Sequence, residues 1–514
     1  MMSVADVKTL STAFHAKAAM RTLRYLCIHA LIAITYVYAL RTNSSLVSCV
    51  AVICLMALYT LQQPHQARIL SLTIVNTLLL FLSSYWLMYP LQDMIQVHPM
   101  LGSLSLLFAA GIISTLLTIP VLIYHLRLPL KNTSISCAFL CIFGEYLRQQ
   151  TFIATPWMNV SNLAFNIPVL NHALPLGGGM LTGYLLLRLA ETITAVLRGQ
   201  IDKDGRQVVV IYALLAMSPL YVSCVTWLNP KTVSEQPQLK VNLLQGNINP
   251  LEKKDNYINW EEQAHLIHQQ RSKDLNILSE GVLAIDKESM PLHKFRKYDF
   301  LKNSIIGLNY VDGNTYQSML VGVNHVHGRY TKQHYVPFGE YLPFQSLFSM
   351  YTNFFDNKRT PTTHKNNGMI RYGRHHLYPM ICYDLFFEPE ARQLINNADA
   401  IIVIAENTWF HDSMMQQSFL RAAQIRALEY KSPVLLVMNR GYSAHITADG
   451  HISQQLPYDT QGVLHTTIAQ RDKSPNPLTY VKDYQVLIAI LLLEIVGGIA
   501  IFRLSNQFKQ QAAS

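Results

Sequence analysis

Long apolar runs recur through the first part of the chain and stop after about residue 228. A polar, basic stretch at 1–23, with Lys8, Lys17 and Arg21, precedes the first run at 25–40. Further runs follow at 46–61, 69–89, 101–126, 134–147, 176–197 and 208–228, and a last one at 484–502. These make about eight segments, several near the ~20 residues that a membrane helix needs. The first is laid out like a signal peptide, but no small-x-small cleavage site follows it, so it reads as a retained span. The fifth is short and ends in Glu145 and Arg148. The sixth carries Arg188 and Glu191, three apart and able to pair on one helix face. Ionisable groups at such depth face protein or water rather than lipid. A multi-pass α-helical membrane domain of about seven spans is therefore expected at 1–228, with a C-terminal span and tail at 484–514.

Between them, 229–483 is polar and patterned differently. Short apolar runs at 240–245, 275–278, 304–308, 318–323, 377–382, 400–405 and 434–438 predict strands. Helical patterns lie at 258–272 and 415–430. Continuous rather than alternating apolar strands, interleaved with helices, predict an α/β layered fold.

Charge refines this picture. The chain is 50% hydrophobic and only 14% charged, against about 25% charged in soluble domains. The net charge of +10 comes from lysines and arginines scattered between apolar runs, with no basic stripe, so nucleic acid is not an expected partner. Basic residues favour alternate connections: 1–24, then Arg68, then Arg127 and Lys131, then Arg198, Lys203 and Arg206. The positive-inside rule then predicts a cytoplasmic N-terminus, an outward-facing 229–483 region, and a cytoplasmic tail with Arg503 and Lys509.

Candidate chemistry centres on Cys382. Six of the seven cysteines lie in or beside apolar segments, and Cys382 alone lies in the polar region. A lone cysteine is a buried small hydrophobe or a nucleophile, and residue type by itself favours the first. Its place at the end of an apolar strand, before Tyr383-Asp384, favours exposure to a site. Glu280 likewise sits just beyond a strand, and Lys332 lies in YTKQHYVPFGEYLPF, which also carries Glu340. A thiol nucleophile needs a base and a positive group or N–H donors for its oxyanion. A carboxylate, an ammonium and a thiol on strand ends would supply these, although each alone is more often a surface or core residue. The many histidines single none out as base. No metal site is expected, since His375-His376 has no ligand partner at metal spacing, and no cofactor motif is present.

Four motifs together, Tyr330-x-Lys-x-His-x-Val-Pro-Phe-Gly-Glu-Tyr-x-Pro, Ile381-Cys-Tyr-Asp, Trp409-Phe-x-Asp-Ser and Arg426-Ala-x-Glu, resemble the nitrilase superfamily. With the membrane spans and Gln245-Gly-Asn-Ile, the chain resembles its apolipoprotein N-acyltransferase family. That resemblance implies a four-layer αββα domain in the periplasm, held at the bacterial inner membrane. It implies a phospholipid acyl donor and an apolipoprotein acceptor. By motif position, Cys382 would be nucleophile, Glu280 base and Lys332 oxyanion stabiliser. Glu340, Tyr383, Asp384, Trp409 and Phe410 would support them or bind substrate. The family's usual residues are replaced around the base, in Leu278-Ser279-Glu280-Gly281-Val282, and at Lys254, Asp384 and His411; these are expected to line the pocket. A membrane-tethered amidase, a divergent paralogue acting on another amine or amide, and a non-enzymatic scaffold are the alternatives.

Overall fold

The computed structural model describes residues 4–42, 44–61, 65–125, 135–151, 154–199, 238–248, 267, 269–270, 273–287, 301–341, 360–363, 368–471 and 475–511. The first part is helical: α1 (Val4–Arg41), α2 (Ser45–Tyr59), α3 (His65–Ser83), α4 (Met88–Ile95), α5 (Pro99–His125), α6 (Cys137–Gln149), α7 (Val160–Ala164), α8 (Pro168–Asn171) and α9 (Leu174–Leu197). Among the described residues three helices are long and apolar enough to cross a membrane: Leu23–Arg41 within α1, α5 and α9. A fourth span results if α3 and the helical stretch after it count as one, bent by 50°. The bend falls at Ser83-Ser84, and serine pairs are among the places where helices kink.

The expected eight spans are not reached among the described residues. α2 has 15 residues and α6 has 13, both short of a full crossing. The expected span at 208–228 lies outside the described residues. The C-terminal segment is helical over Asp483–Gln511.

The start of α6 is fixed by contacts from other helices. Its first N–H groups have no partner within the helix, and two carboxylates supply them. Glu494 accepts from the Ser136 N–H at 3.0 Å and from the Ser136 hydroxyl. Glu191 accepts from the N–H of Cys137 at 3.1 Å and of Ala138 at 3.4 Å. Arg188 pairs with Glu191 at 3.0 Å, as the spacing suggested, and the Tyr184 hydroxyl donates to Glu494 at 2.7 Å. The negative charge also suits the positive end of the helix dipole.

In the polar region the strands are β1 (Gln238–Gln245), β2 (Leu275–Leu278), β3 (Leu283–Asp286), β4 (Ser304–Asp312), β5 (Thr315–Val323), β6 (Val326–His327), β7 (Arg329–Thr331) and β8 (Thr360–Pro361). β9 (Ile370–Tyr372), β10 (His375–Ile381), β11 (Ala400–Ala405), β12 (Val434–Met438), β13 (Ala444–Ile446), β14 (Ile452–Gln455) and β15 (Gly462–Ala469) follow. One sheet runs β15-β1-β2-β4-β5-β7, with β3 on β4 and β8 on β5. The other runs β14-β13-β12-β11-β10-β9-β6. The long apolar runs form parallel centres, β1-β2-β4 and β10-β11-β12, while antiparallel strands finish the edges. The edge strands escaped the sequence reading because several are only two to four residues long and others, such as β15, alternate with one face exposed.

The first sheet sorts its residues by period two. Val241, Leu243, Ile277 and Ile305 join a core shared with the second sheet. Leu244, Ile306, Leu308 and Val321 form a separate cluster with Ile267 on the other face. The helix expected at 258–272 lies outside the described residues apart from Ile267, Gln269 and Gln270. Helix α10 (Met414–Tyr430) packs on β12 and, on its other side, on α9, as does α11 (Asp483–Gln511). One apolar core therefore runs without a break from the membrane helices into the sheets.

Contacts also sort the helix connections by side. The polar region touches the first (Arg421 to the Leu40 carbonyl, 2.6 Å), the third (His411 to Asp93, 2.6 Å) and the fifth (Tyr383 to the Ala154 carbonyl, 3.0 Å). The opposite ends meet one another: His125 reaches the Tyr59 carbonyl at 2.7 Å, and Arg198 reaches Thr60 at 3.0 Å. The ends of α2, α5 and α9 thus gather away from the polar region.

Replacing Glu494 by alanine should strand the Ser136 and Tyr184 donors, at a cost of about 1–3 kcal/mol. Thermal unfolding in detergent is expected to show a lowered midpoint, with Glu494→Gln, which keeps an acceptor, falling less.

Candidate active site

β10 is buried along most of its length and ends at Ile381. Cys382 then opens a 3-10 turn, Cys382–Phe386, with φ of 49°. A non-glycine residue at such an angle stores strain of about 1–3 kcal/mol, and the turn around it must hold it there. The thiol is 6% exposed. Burial pushes it well above the ordinary thiol range; the Glu280 charge and hydrogen bond add to this, and Lys332 opposes it. The resting sulfur is accordingly a thiol.

Glu280 follows β2 by two residues and is buried. Its backbone crosses β4 closely enough that Gly307 cannot be another residue: a Cβ there would strike the Ser279 carbonyl and lie 2.6 Å from Glu280 Cα. Both carboxylate oxygens are engaged. Oε1 accepts from Lys332 Nζ and from the Ser318 hydroxyl, each at 3.0 Å, and Oε2 accepts from the Glu406 N–H at 3.1 Å.

Lys332 is the residue after β7, is 1% exposed, and also reaches Glu340 at 2.8 Å. Burial works against its ammonium form, but Cys382, Glu280 and Glu340 together hold its pKa well above the usual lysine range. Glu340 accepts from the Val336 N–H at 2.6 Å; burial pushes its carboxyl up and Lys332 draws it back. Glu280, 52 residues before Lys332, and Cys382, 50 residues after it, thus meet Lys332 and Glu340 in one buried cluster.

The supporting residues divide. Asp384 does not line a pocket, against expectation. It is 3% exposed and spends its oxygens on the N–H groups of Gln333 (3.1 Å), His334 (2.7 Å) and Ile381 (3.3 Å) and on the Tyr330 hydroxyl (3.0 Å). It therefore ties the Cys382 turn to the loop that bears Lys332. Tyr383 is buried, with its hydroxyl on the Ala154 carbonyl. Trp409 and Phe410 are half-buried, and Phe410 meets Trp86 edge-on at 4.8 Å. His411 also departs from expectation: it turns toward α4, stacking on Tyr89 at 4.6 Å and pairing with Asp93. Ser279 is buried beneath the first sheet's crossing, and Lys254 lies outside the described residues.

Comparison with known proteins decides the family. Residues 32–190 match the Apolipoprotein N-acyltransferase N-terminal domain, and 307–474 match Carbon-nitrogen hydrolase. The apolipoprotein N-acyltransferase of Pseudomonas syringae pv. tomato is 26% identical over 417 residues, 76% of this chain and 80% of that one. That of Haemophilus ducreyi is 28% identical, covering 65% and 69%, and that of Rickettsia typhi 26%, covering 70% and 74%. The chain belongs to the apolipoprotein N-acyltransferase family. It is an acyltransferase with a membrane domain and a carbon-nitrogen hydrolase domain. Lys332, Glu340, Cys382 and Trp409 fall inside the hydrolase match, and Glu280 falls before it.

Within this family member, the Arg426-Ala-x-Glu motif has a structural role that its sequence did not disclose. Arg426 donates from Nε to the Leu385 carbonyl at 3.0 Å and from Nη2 to that of Phe387 at 2.8 Å, bracing the turn after Cys382. Glu429 pairs with Arg426 and accepts from the Gly179 N–H at 3.0 Å. That N–H is free because α9 breaks at Gly177-Gly178, where Gly178 has φ of 59°. The break in α9 thus lets Gly179 anchor the Cys382 turn, through Glu429 and Arg426, on the membrane domain.

The raised Cys382 pKa has a direct consequence. Its thiolate fills only above the ordinary range, so the rate of its alkylation by iodoacetamide should still be climbing past about pH 9. Lys332→Met removes the opposing charge and should slow alkylation further at every pH in that range. Peptide mass spectrometry of Cys382 labelling against pH measures both, and a plateau near neutral pH would contradict the electrostatics.

Proposed function

We propose that this chain moves a fatty acyl group from a phospholipid, through a thioester on Cys382, to the N-terminal α-amine of a diacylglyceryl-cysteine lipoprotein. The observation that carries this reading is the buried contact of Lys332 with both Glu280 and Glu340 beside the buried Cys382. Glu280 takes the thiol proton as the sulfur attacks the donor ester carbonyl, so thiolate forms only with the new bond. Lys332 and the Tyr383 N–H stabilise the oxyanion. The tetrahedral intermediate expels the lysophospholipid alkoxide, which takes the proton back from Glu280. The acceptor amine then attacks the thioester, gives a proton to Glu280, and the departing sulfur recovers it. Glu340 holds the ammonium in place from its other side.

The domain division read from sequence, 1–228, 229–483 and 484–514, fits this role by giving both lipid-anchored substrates one membrane-bound catalyst. So does the orientation. The helix ends away from the polar region carry Arg68 and Arg198, which argues that the polar region lies in the periplasm at a bacterial inner membrane. The principal alternative is hydrolysis of the same thioester by water.

Incubation of the purified protein with phospholipid vesicles should add an acyl mass to Cys382 and release lysophospholipid. Cys382→Ser should do neither while still folding, and turnover by it would rule out the covalent route. Addition of a diacylglyceryl-cysteine peptide should discharge the thioester to N-acyl peptide; release as free fatty acid would instead identify a hydrolase. A phosphatase reporter inserted after Asn256 should be active only outside the cytoplasm.

A further inference from the structure

Ser318 stands on β5 where three parts of the site meet. Its hydroxyl donates to Glu280 Oε1 at 3.0 Å. Its carbonyl accepts from the Lys332 N–H at 2.9 Å. Its N–H donates to the Tyr335 hydroxyl at 3.2 Å, and the Tyr335 ring lies 5.9 Å from Lys332 Nζ. The residue is 1% exposed. The carboxylate, the lysine backbone and the aromatic beside the ammonium are therefore all bonded to one residue of one strand.

We propose that Ser318 is a positioning residue that holds the Glu280 carboxylate in register with Lys332 and Cys382. This rests on the roles proposed above for Glu280 and Cys382. A glutamate side chain turns about three bonds, and the ammonium on its Oε1 is shared with Glu340 on a long, flexible stem. Those two contacts leave the carboxylate free to follow the ammonium toward Glu340. The Ser318 hydroxyl comes from a strand and cannot follow. With the Glu406 N–H fixing Oε2, it pins the carboxylate plane from both oxygens. Proton transfer from Cys382 depends on that plane, since a misplacement of about 1 Å can cost about 100-fold in rate. The two backbone bonds of Ser318 use main-chain atoms, so substitution removes the hydroxyl contact and leaves the strand's attachments to Lys332 and Tyr335. Glu280 would also keep two donors, which preserves the fold.

The test is single-turnover formation of the Cys382 thioester on phosphatidylethanolamine vesicles, followed by quenched mass spectrometry in the full-length protein. Ser318→Ala should slow thioester formation about 10- to 100-fold, with the lipid concentration for half-maximal rate within about twofold of wild type and the thermal midpoint nearly unchanged. Ser318→Thr, which keeps the hydroxyl on a β-branched side chain suited to a strand, should restore most of the rate. A wild-type thioester with Ser318→Ala equally fast overturns the role of Ser318 alone. A slow Ser318→Ala that Ser318→Thr fails to rescue, with a lowered midpoint, also overturns it in favour of packing. A wild-type protein that forms no thioester overturns the assignment of Cys382 and this inference with it.

Discussion

Everything in the catalytic part of this molecule depends on keeping one ammonium charged out of water. Lys332 is almost wholly buried, and an isolated ammonium at such a position would lose its proton or unfold its surroundings. Two carboxylates prevent this, Glu280 from the end of β2 and Glu340 from the loop that Lys332 itself begins. Removing one partner of a buried pair typically costs about 3–5 kcal/mol, because the other charge is left uncompensated. The same arithmetic sets the sulfur. Burial pushes the Cys382 thiol up, the two carboxylates add to this, and Lys332 opposes it.

The second constraint is mechanical. Cys382 sits in a strained turn, and the groups that hold the turn come from three directions. Asp384 ties it to the Lys332 loop, Arg426 braces its carbonyls from α10, and Tyr383 reaches the helical connection at Ala154. Glu429 then links Arg426 to the broken start of α9. Cys382 is therefore positioned by contacts from the membrane domain as well as by its own sheet. The continuous apolar core gives this coupling its stiffness. A hydrolase domain cut from its helices would lose the Ala154 and Gly179 contacts that hold the Cys382 turn.

This coupling also explains why two substitutions away from the family's usual residues do not act as their positions suggested. Asp384 acts mainly on backbone, and its shorter side chain still reaches three main-chain N–H groups and the Tyr330 hydroxyl. His411 occupies a positive-φ position, φ of 48°, and draws compensation from Tyr89 and Asp93 on the short helix after the bend at Ser84. Its pair with Asp93 is exposed, so it contributes little energy and instead sets where the loop rests.

Local pattern was enough to place most of this. Continuous apolar runs marked β2, β11 and β12 to the residue and located Cys382 and Glu280 at strand ends, because a buried parallel strand leaves an unmistakable stretch of side chains without polar relief. The long Lys332–Glu340 motif carried its own chemistry, and Arg188-Glu191 declared their pairing through helical spacing. The tertiary structure alone decided the rest. Ser318 carries no motif and becomes informative only when β5 brings it beside a carboxylate 38 residues away in sequence. Gly307 is required by a backbone that crosses it, and Glu429 by a helix break 250 residues earlier. The start of α6 was set by two acids on other helices, Glu191 and Glu494, that complete its first turn. Sequence records what each segment prefers on its own; which polar groups must share a dry space is fixed only when the segments pack, since the cost of leaving any of them unpartnered exists only there.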